Sequence, residues 1–101
     1  MRAFNHGIRH GDWEPMLRRF AEDACVRFEN APIGPYAGLD EIRRAYRDAP
    51  PDDEIRLLGV QEEDDGRVVT AAFAWTRGGT GRMVLELDAG LIRVLTVAFD
   101  E

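Results

Sequence analysis

The chain has 101 residues, a net charge of −6, an apolar fraction of 45% and a charged fraction of 32%. That length holds one domain, residues 1–101, with the composition of a folded protein and not of a disordered segment. An acidic surface repels a phosphate backbone, which argues against nucleic acid as a partner. The N-terminus has no signal-peptide pattern and no stretch reaches the length of a membrane span, so a cytoplasmic domain is the expectation.

The residue types that are missing narrow the chemistry. There is no lysine and no serine, and all thirteen basic residues are arginine. Schiff-base chemistry, the P-loop lysine and the serine nucleophile are therefore removed. Cys25 is single, so no internal disulfide forms, and no Cys/His spacing suits zinc. The run Glu62, Glu63, Asp64 and Asp65 reads as a solvated turn, because calcium needs ligands at alternating positions. No metal and no cofactor are expected.

In chain order, Phe4 and Ile8 lie four apart and Gly11 closes that first segment, which predicts a helix with a glycine C-cap. Asp12 reads as the N-cap of a second helix, with Pro15 in its first turn and Trp13, Met16, Leu17 and Phe20 on one face. Alternation takes over at Cys25-Val26-Arg27-Phe28-Glu29, a strand, and Pro32, Gly34, Pro35 and Gly38 mark a loop. Asp40 and Glu41 open a third helix with Ile42, Ala45 and Tyr46 on its apolar face, stopped by Pro50-Pro51. Strands follow at 54–62, 67–77, 81–88 and 91–99. Asp65-Gly66, Gly78-Gly79 and Ala89-Gly90 between them predict hairpins and an antiparallel meander.

Both faces of that meander carry apolar side chains. Val69, Ala71, Phe73 and Trp75 alternate with Val68, Thr70, Ala72 and Ala74. Leu91, Leu95, Val97 and Phe99 are likewise set against Ile92, Val94, Thr96 and Ala98. The larger set is expected under the helices. The smaller set needs another cover, because a sheet face left in water should be polar. A homodimer through the outer sheet face is the expectation.

Several segments together resemble a known family. They are His10-Gly11-Asp12-Trp13, Phe20-Ala21-Glu22-Asp23-Ala24 running into a strand, Gly34-Pro35-Tyr36-Ala37-Gly38 before Asp40-Glu41-Ile42-Arg43, and the Asp88-Ala89-Gly90-Leu91-Ile92 hairpin closing on Val97-Ala98-Phe99-Asp100. In this order they are similar to the NTF2-like superfamily, in its SnoaL-like and ketosteroid-isomerase-like branch. The resemblance implies an α+β, cystatin-like cone, with three N-terminal helices packed on a curved antiparallel sheet around an internal pocket. Members of that superfamily commonly pair through the sheet. The fold serves isomerases, cyclases, hydrolases, dehydratases and binding modules, so it does not fix the function.

Laying the isomerase mechanism on this chain tests it. The resemblance implies that the position of the tyrosine oxyanion donor falls on Phe4. The protonated acid falls near Arg82, and the aspartate base on Phe28 or Glu29. Phe4 has no hydroxyl and a guanidinium is never a neutral acid, so steroid isomerisation by that route is not expected. Glu29 becomes a candidate base if a bulge turns it inward, whereas plain alternation sends Val26 and Phe28 inward and Glu29 outward with Arg27. Tyr46 matches a family tyrosine beneath the pocket. Arg82 and Glu86 share one face of a strand; the resemblance points them inward, while Met83, Leu85 and Leu87 point them outward.

His6 and His10 have metal-ligand spacing but no third ligand, and Cys25 reads as packing. Two readings of function follow. One is a small apolar ligand bound among Phe4, Phe28, Tyr36, Phe73, Trp75, Leu95, Val97 and Phe99. The other is a cofactor-independent acid–base enzyme of isomerase, cyclase or hydrolase type, with Glu29 and Tyr46 as catalytic residues.

Overall fold

A computed structural model describes residues 2–29, 33–48, 51 and 53–100. Helix α1 spans Arg2–His10, with Phe4 and Ile8 half-buried on its inner side. Gly11 ends it at φ +70°, and its N–H donates to the Gly7 carbonyl at 2.8 Å. Gly7 has a second job. A Cβ built there would lie 2.3 Å from Trp13 Cε3, so only glycine lets the buried Trp13 ring press on α1.

Helix α2 is a single turn, Glu14–Leu17, and the chain is already strand at Phe20. The second helix is thus shorter than the Trp13–Phe20 spacing predicts. Trp13 occupies the N-cap position without a side-chain cap, while Asp12 Oδ1 accepts from the Glu14 N–H at 3.2 Å. The reason lies in strand β1, Phe20–Glu29. Its register against the last strand slips between Phe20 and Cys25, so that Phe20 and Ala24 are buried while Glu22 between them is exposed. A bulge of this kind breaks the two-residue period that marks a strand in sequence.

A two-residue strand β2, Tyr36–Ala37, pairs with β1 inside the predicted loop. Helix α3, Leu39–Asp48, follows, with Asp40 and Glu41 in its first turn and Ile42 fully buried. Of the predicted stop, Pro50 lies outside the described residues. Strands β3 (Ile55–Glu63), β4 (Val68–Trp75), β5 (Thr80–Asp88) and β6 (Leu91–Phe99) form the expected meander. The spatial order is β2-β1-β6-β5-β4-β3. One pairing departs from the expected antiparallel sheet: β1 runs parallel to β6, so the sheet is mixed.

The helices cover the concave face, and the core is Trp13, Leu17, Phe20, Val26, Ile42, Ile55, Phe73 and Met83 with smaller neighbours. Asn5 on α1 fastens helix to sheet. Its Nδ2 donates to the Ile55 carbonyl and its Oδ1 accepts the Ile55 N–H, both at 3.0 Å, so a side chain stands in for a neighbouring strand at the start of β3. On the convex face, register places Arg27, Thr96, Val84, Thr70 and Gln61 in one row. The next row is Glu29, Ala98, Arg82, Ala72 and Gly59. Arg82 and Glu86 are exposed and Met83 is buried, so the inward direction implied for Arg82 by the family resemblance does not hold. The alternation of Met83, Leu85 and Leu87 sets the direction instead.

Candidate ligand cavity

The concave face and the helices do not meet everywhere. Between them lies a cavity of about 750 Å³, within the range of small-molecule sites. Helix α1 supplies Ala3 and Phe4, α2 supplies Met16, α3 supplies Ala45 and Tyr46, and β1 supplies Phe20 and Phe28. The meander supplies Phe73 and Trp75 from β4, Met83, Leu85 and Leu87 from β5, and Ile92, Leu95, Val97 and Phe99 from β6. All eight positions singled out in the sequence as ligand-facing (Phe4, Phe28, Tyr36, Phe73, Trp75, Leu95, Val97 and Phe99) are on this wall.

Aromatic rings run around the cavity in sequence. Tyr36 meets Phe28, Phe28 stacks on Phe99, Phe99 stacks on Trp75, and Trp75 meets Phe4, with centroids 6.2–6.4 Å apart. Phe4 then meets Trp13 at 5.7 Å, and Trp13 meets Tyr46 at 4.9 Å. Separations in this range are attractive beyond the area they bury, so this chain of rings supports its own shape along one part of the wall.

Polar groups on the wall are few. Among the described lining residues only Tyr36, Tyr46, Arg19 and the indole N–H of Trp75 offer polar side-chain groups, and none carries a carboxylate. Burial, with a smaller contribution from the neighbouring Tyr36, pushes the Tyr46 hydroxyl up to about 12. At neutral pH Tyr46 is therefore protonated, a hydrogen-bond donor and not a base. It has no ion or hydrogen-bond partner among the described residues and borders the cavity, so its O–H is available to whatever enters.

Glu29 is exposed, and its pairing with Ala98 puts it in the convex row. The structure does not bring Glu29 and Tyr46 together: the sheet stands between them. Asp100 is also exposed and accepts from Thr80 Oγ1 at 2.7 Å. His6 and His10 have ring centroids 4.7 Å apart on the outside of α1, with Asp12 3.5 Å from His6. Among the described residues no group of three or more metal-binding side chains assembles, and no helix is long and apolar enough to cross a membrane.

Sequence reasoning missed Met16, Arg19, Ile33, Ile92 and the inner face of β5 as wall residues. Met83, Leu85 and Leu87 were marked by their alternation. Arg19 had no signal, because it sits where the unforeseen strand begins.

No curated protein matches the chain. Among solved structures, a steroid delta-isomerase from Pseudomonas aeruginosa superposes with a TM-score of 0.75 at 21% identity, covering 99% of this chain and 76% of the other. A protein of unknown function with a cystatin-like fold from Methylobium petroleophilum PM1 gives 0.78 at 18% identity, covering 99% and 72%. An NTF2-like protein of unknown function from Cytophaga hutchinsonii ATCC 33406 gives 0.76 at 18%, covering 98% and 85%. These likenesses concern the fold, an NTF2-like α+β cone. The SnoaL-like domain family matches residues 1–95, nearly the whole chain, and the chain belongs to that family.

Proposed function

We propose that this domain binds a small, largely apolar molecule in its cone, with Tyr46 donating a hydrogen bond to an oxygen on the ligand. The observation that carries this reading is a cavity of about 750 Å³ lined by aromatic and aliphatic side chains and without a lining carboxylate among the described residues. Such a wall favours desolvation of apolar surface and offers no general base to a substrate. The test is a fluorescence titration with the neutral probe N-phenyl-1-naphthylamine. Saturable binding of one probe per chain, with energy transfer from Trp75, is expected; unsaturable or absent binding contradicts the reading. The enzyme alternative, with Glu29 as base and Tyr46 as donor, has the Tyr46 hydroxyl in its favour and lacks a base on the same side of the sheet.

The outer face belongs to the same proposal. Val84 lies between Thr96 and Thr70 on the convex side, with exposed Arg82 and Glu86 two residues away on either side. Neither is in an ion pair among the described residues. A two-fold axis through Val84 lays Arg82 of one copy against Glu86 of a second, joining charge complementarity to a patch of small side chains. We infer a homodimer on that axis. Sedimentation at micromolar concentration should give twice the chain mass, Arg82→Glu should give monomer, and Arg82→Glu with Glu86→Arg should restore the dimer. A wild-type monomer contradicts it.

A further inference from the structure

Resting on the ligand-binding reading, we propose that the ligand is an amphipathic carboxylic acid whose carboxylate is held by Arg19 at one end of the cavity. Several arginines are in ion pairs among the described residues: Arg9 with Glu54, Arg43 with Glu14 and Asp40, Arg47 with Asp48, and Arg93 with Asp23. Among the described residues Arg19 has no such partner and is the one arginine on the cavity wall. In a chain with net charge −6, a cation bordering an apolar cavity with no acidic neighbour among the described wall residues is a local excess of positive charge.

Backbone hydrogen bonds anchor the residue that carries that charge. The Arg19 N–H donates to the Met16 carbonyl at 3.1 Å and the Arg19 carbonyl accepts the Ile92 N–H at 2.7 Å, so the root of the side chain is tied to both α2 and β6. Leu87, Gly90 and Ile92 line the cavity at this end, where the β5–β6 hairpin turns. Phe99 lies seven residues further along β6, roughly 23 Å at the usual rise of a strand. The wall between is Leu95 and Val97. A cationic end, an apolar run and an aromatic end match an elongated molecule with one carboxylate and an apolar body. A guanidinium receives a carboxylate through two parallel N–H···O bonds, which a neutral ester cannot reproduce.

The test is a titration of the full chain with cis-parinaric acid and with its methyl ester, which share an apolar body and differ in charge. Because Arg19 is exposed, the acid should bind about three- to tenfold tighter than the ester, with the excess lost at high salt. Arg19→Gln should abolish the difference and leave ester affinity unchanged, and Arg19→Lys should keep part of it. Arg18→Gln, the exposed neighbour off the wall, should leave it intact. Equal affinity of acid and ester for the wild type, or loss of the difference in Arg18→Gln as well, overturns the carboxylate assignment alone. Failure of both probes to bind overturns the ligand-binding reading with it.

Discussion

The concave and convex faces of β4, β5 and β6 are made by the same strands one residue out of step, and they carry different chemistry. Inward are Phe73, Trp75, Met83, Leu85, Leu95, Val97 and Phe99, large and apolar. Outward are Thr70, Ala72, Val84, Thr96 and Ala98, small or β-branched, with Arg82 and Glu86 among them. Large side chains on the inside bury area against the helices and leave a hollow where the helices end. Small side chains on the outside leave a smooth surface that a second sheet can approach. The difference supports the proposed division of labour, a small molecule within and a second copy of the chain without.

Truncation should break the symmetry between neighbours on β4 most sharply. Phe73 is 1% exposed, and Phe73→Ala should cost about 3–5 kcal/mol in urea unfolding. A comparable cost for Thr70→Ala would contradict the assignment of faces.

Tyr46 gives the next largest effect. Its raised pKa means that the folded state holds a proton which the unfolded chain releases above about 10. Stability is therefore intact below about pH 10 and falls as pH rises from there toward 12, by about 2–3 kcal/mol in all. Tyr46→Phe should remove that loss, as read by chemical unfolding between pH 8 and pH 12. A wild-type profile flat across that window would mean the hydroxyl is not desolvated.

The smallest effect belongs to the convex face. At a concentration low enough to keep single chains, Thr70→Ala should shift stability by no more than about 0.5 kcal/mol, since the position is only half-buried. At high concentration the same change should weaken self-association.

Much of this was legible in the sequence, for physical reasons that differ by element. The meander was readable because Asp65-Gly66, Gly78-Gly79 and Ala89-Gly90 punctuate it, and the φ values of Asp65, Ala89 and these glycines are positive. The cavity wall followed from strand alternation, and Phe4 and Tyr46 from helical spacing and the family resemblance. What was not legible depends on non-local or irregular structure. The slip between Phe20 and Cys25 disguises the start of β1 as helix and hides Arg19 at its edge. Strand β2 has two residues, too few to form a pattern, and exists only because β1 is there to pair with it. The parallel β1–β6 pairing joins segments far apart in the chain, which leaves no local trace. For Arg82, local alternation was the better guide than alignment to an isomerase.

The central claim, that the cone and not the outer sheet receives the small molecule, is tested most directly by methyl-resolved NMR during titration with N-phenyl-1-naphthylamine. Leu85, Ile92, Leu95 and Val97 line the cavity, whereas Val84 and Thr96 are in a convex row and Val94 pairs with the exposed Glu86. Saturating intermolecular NOEs to the first set and none to the second are expected. NOEs to Val84, Val94 and Thr96, with the cavity methyls silent, would contradict the account.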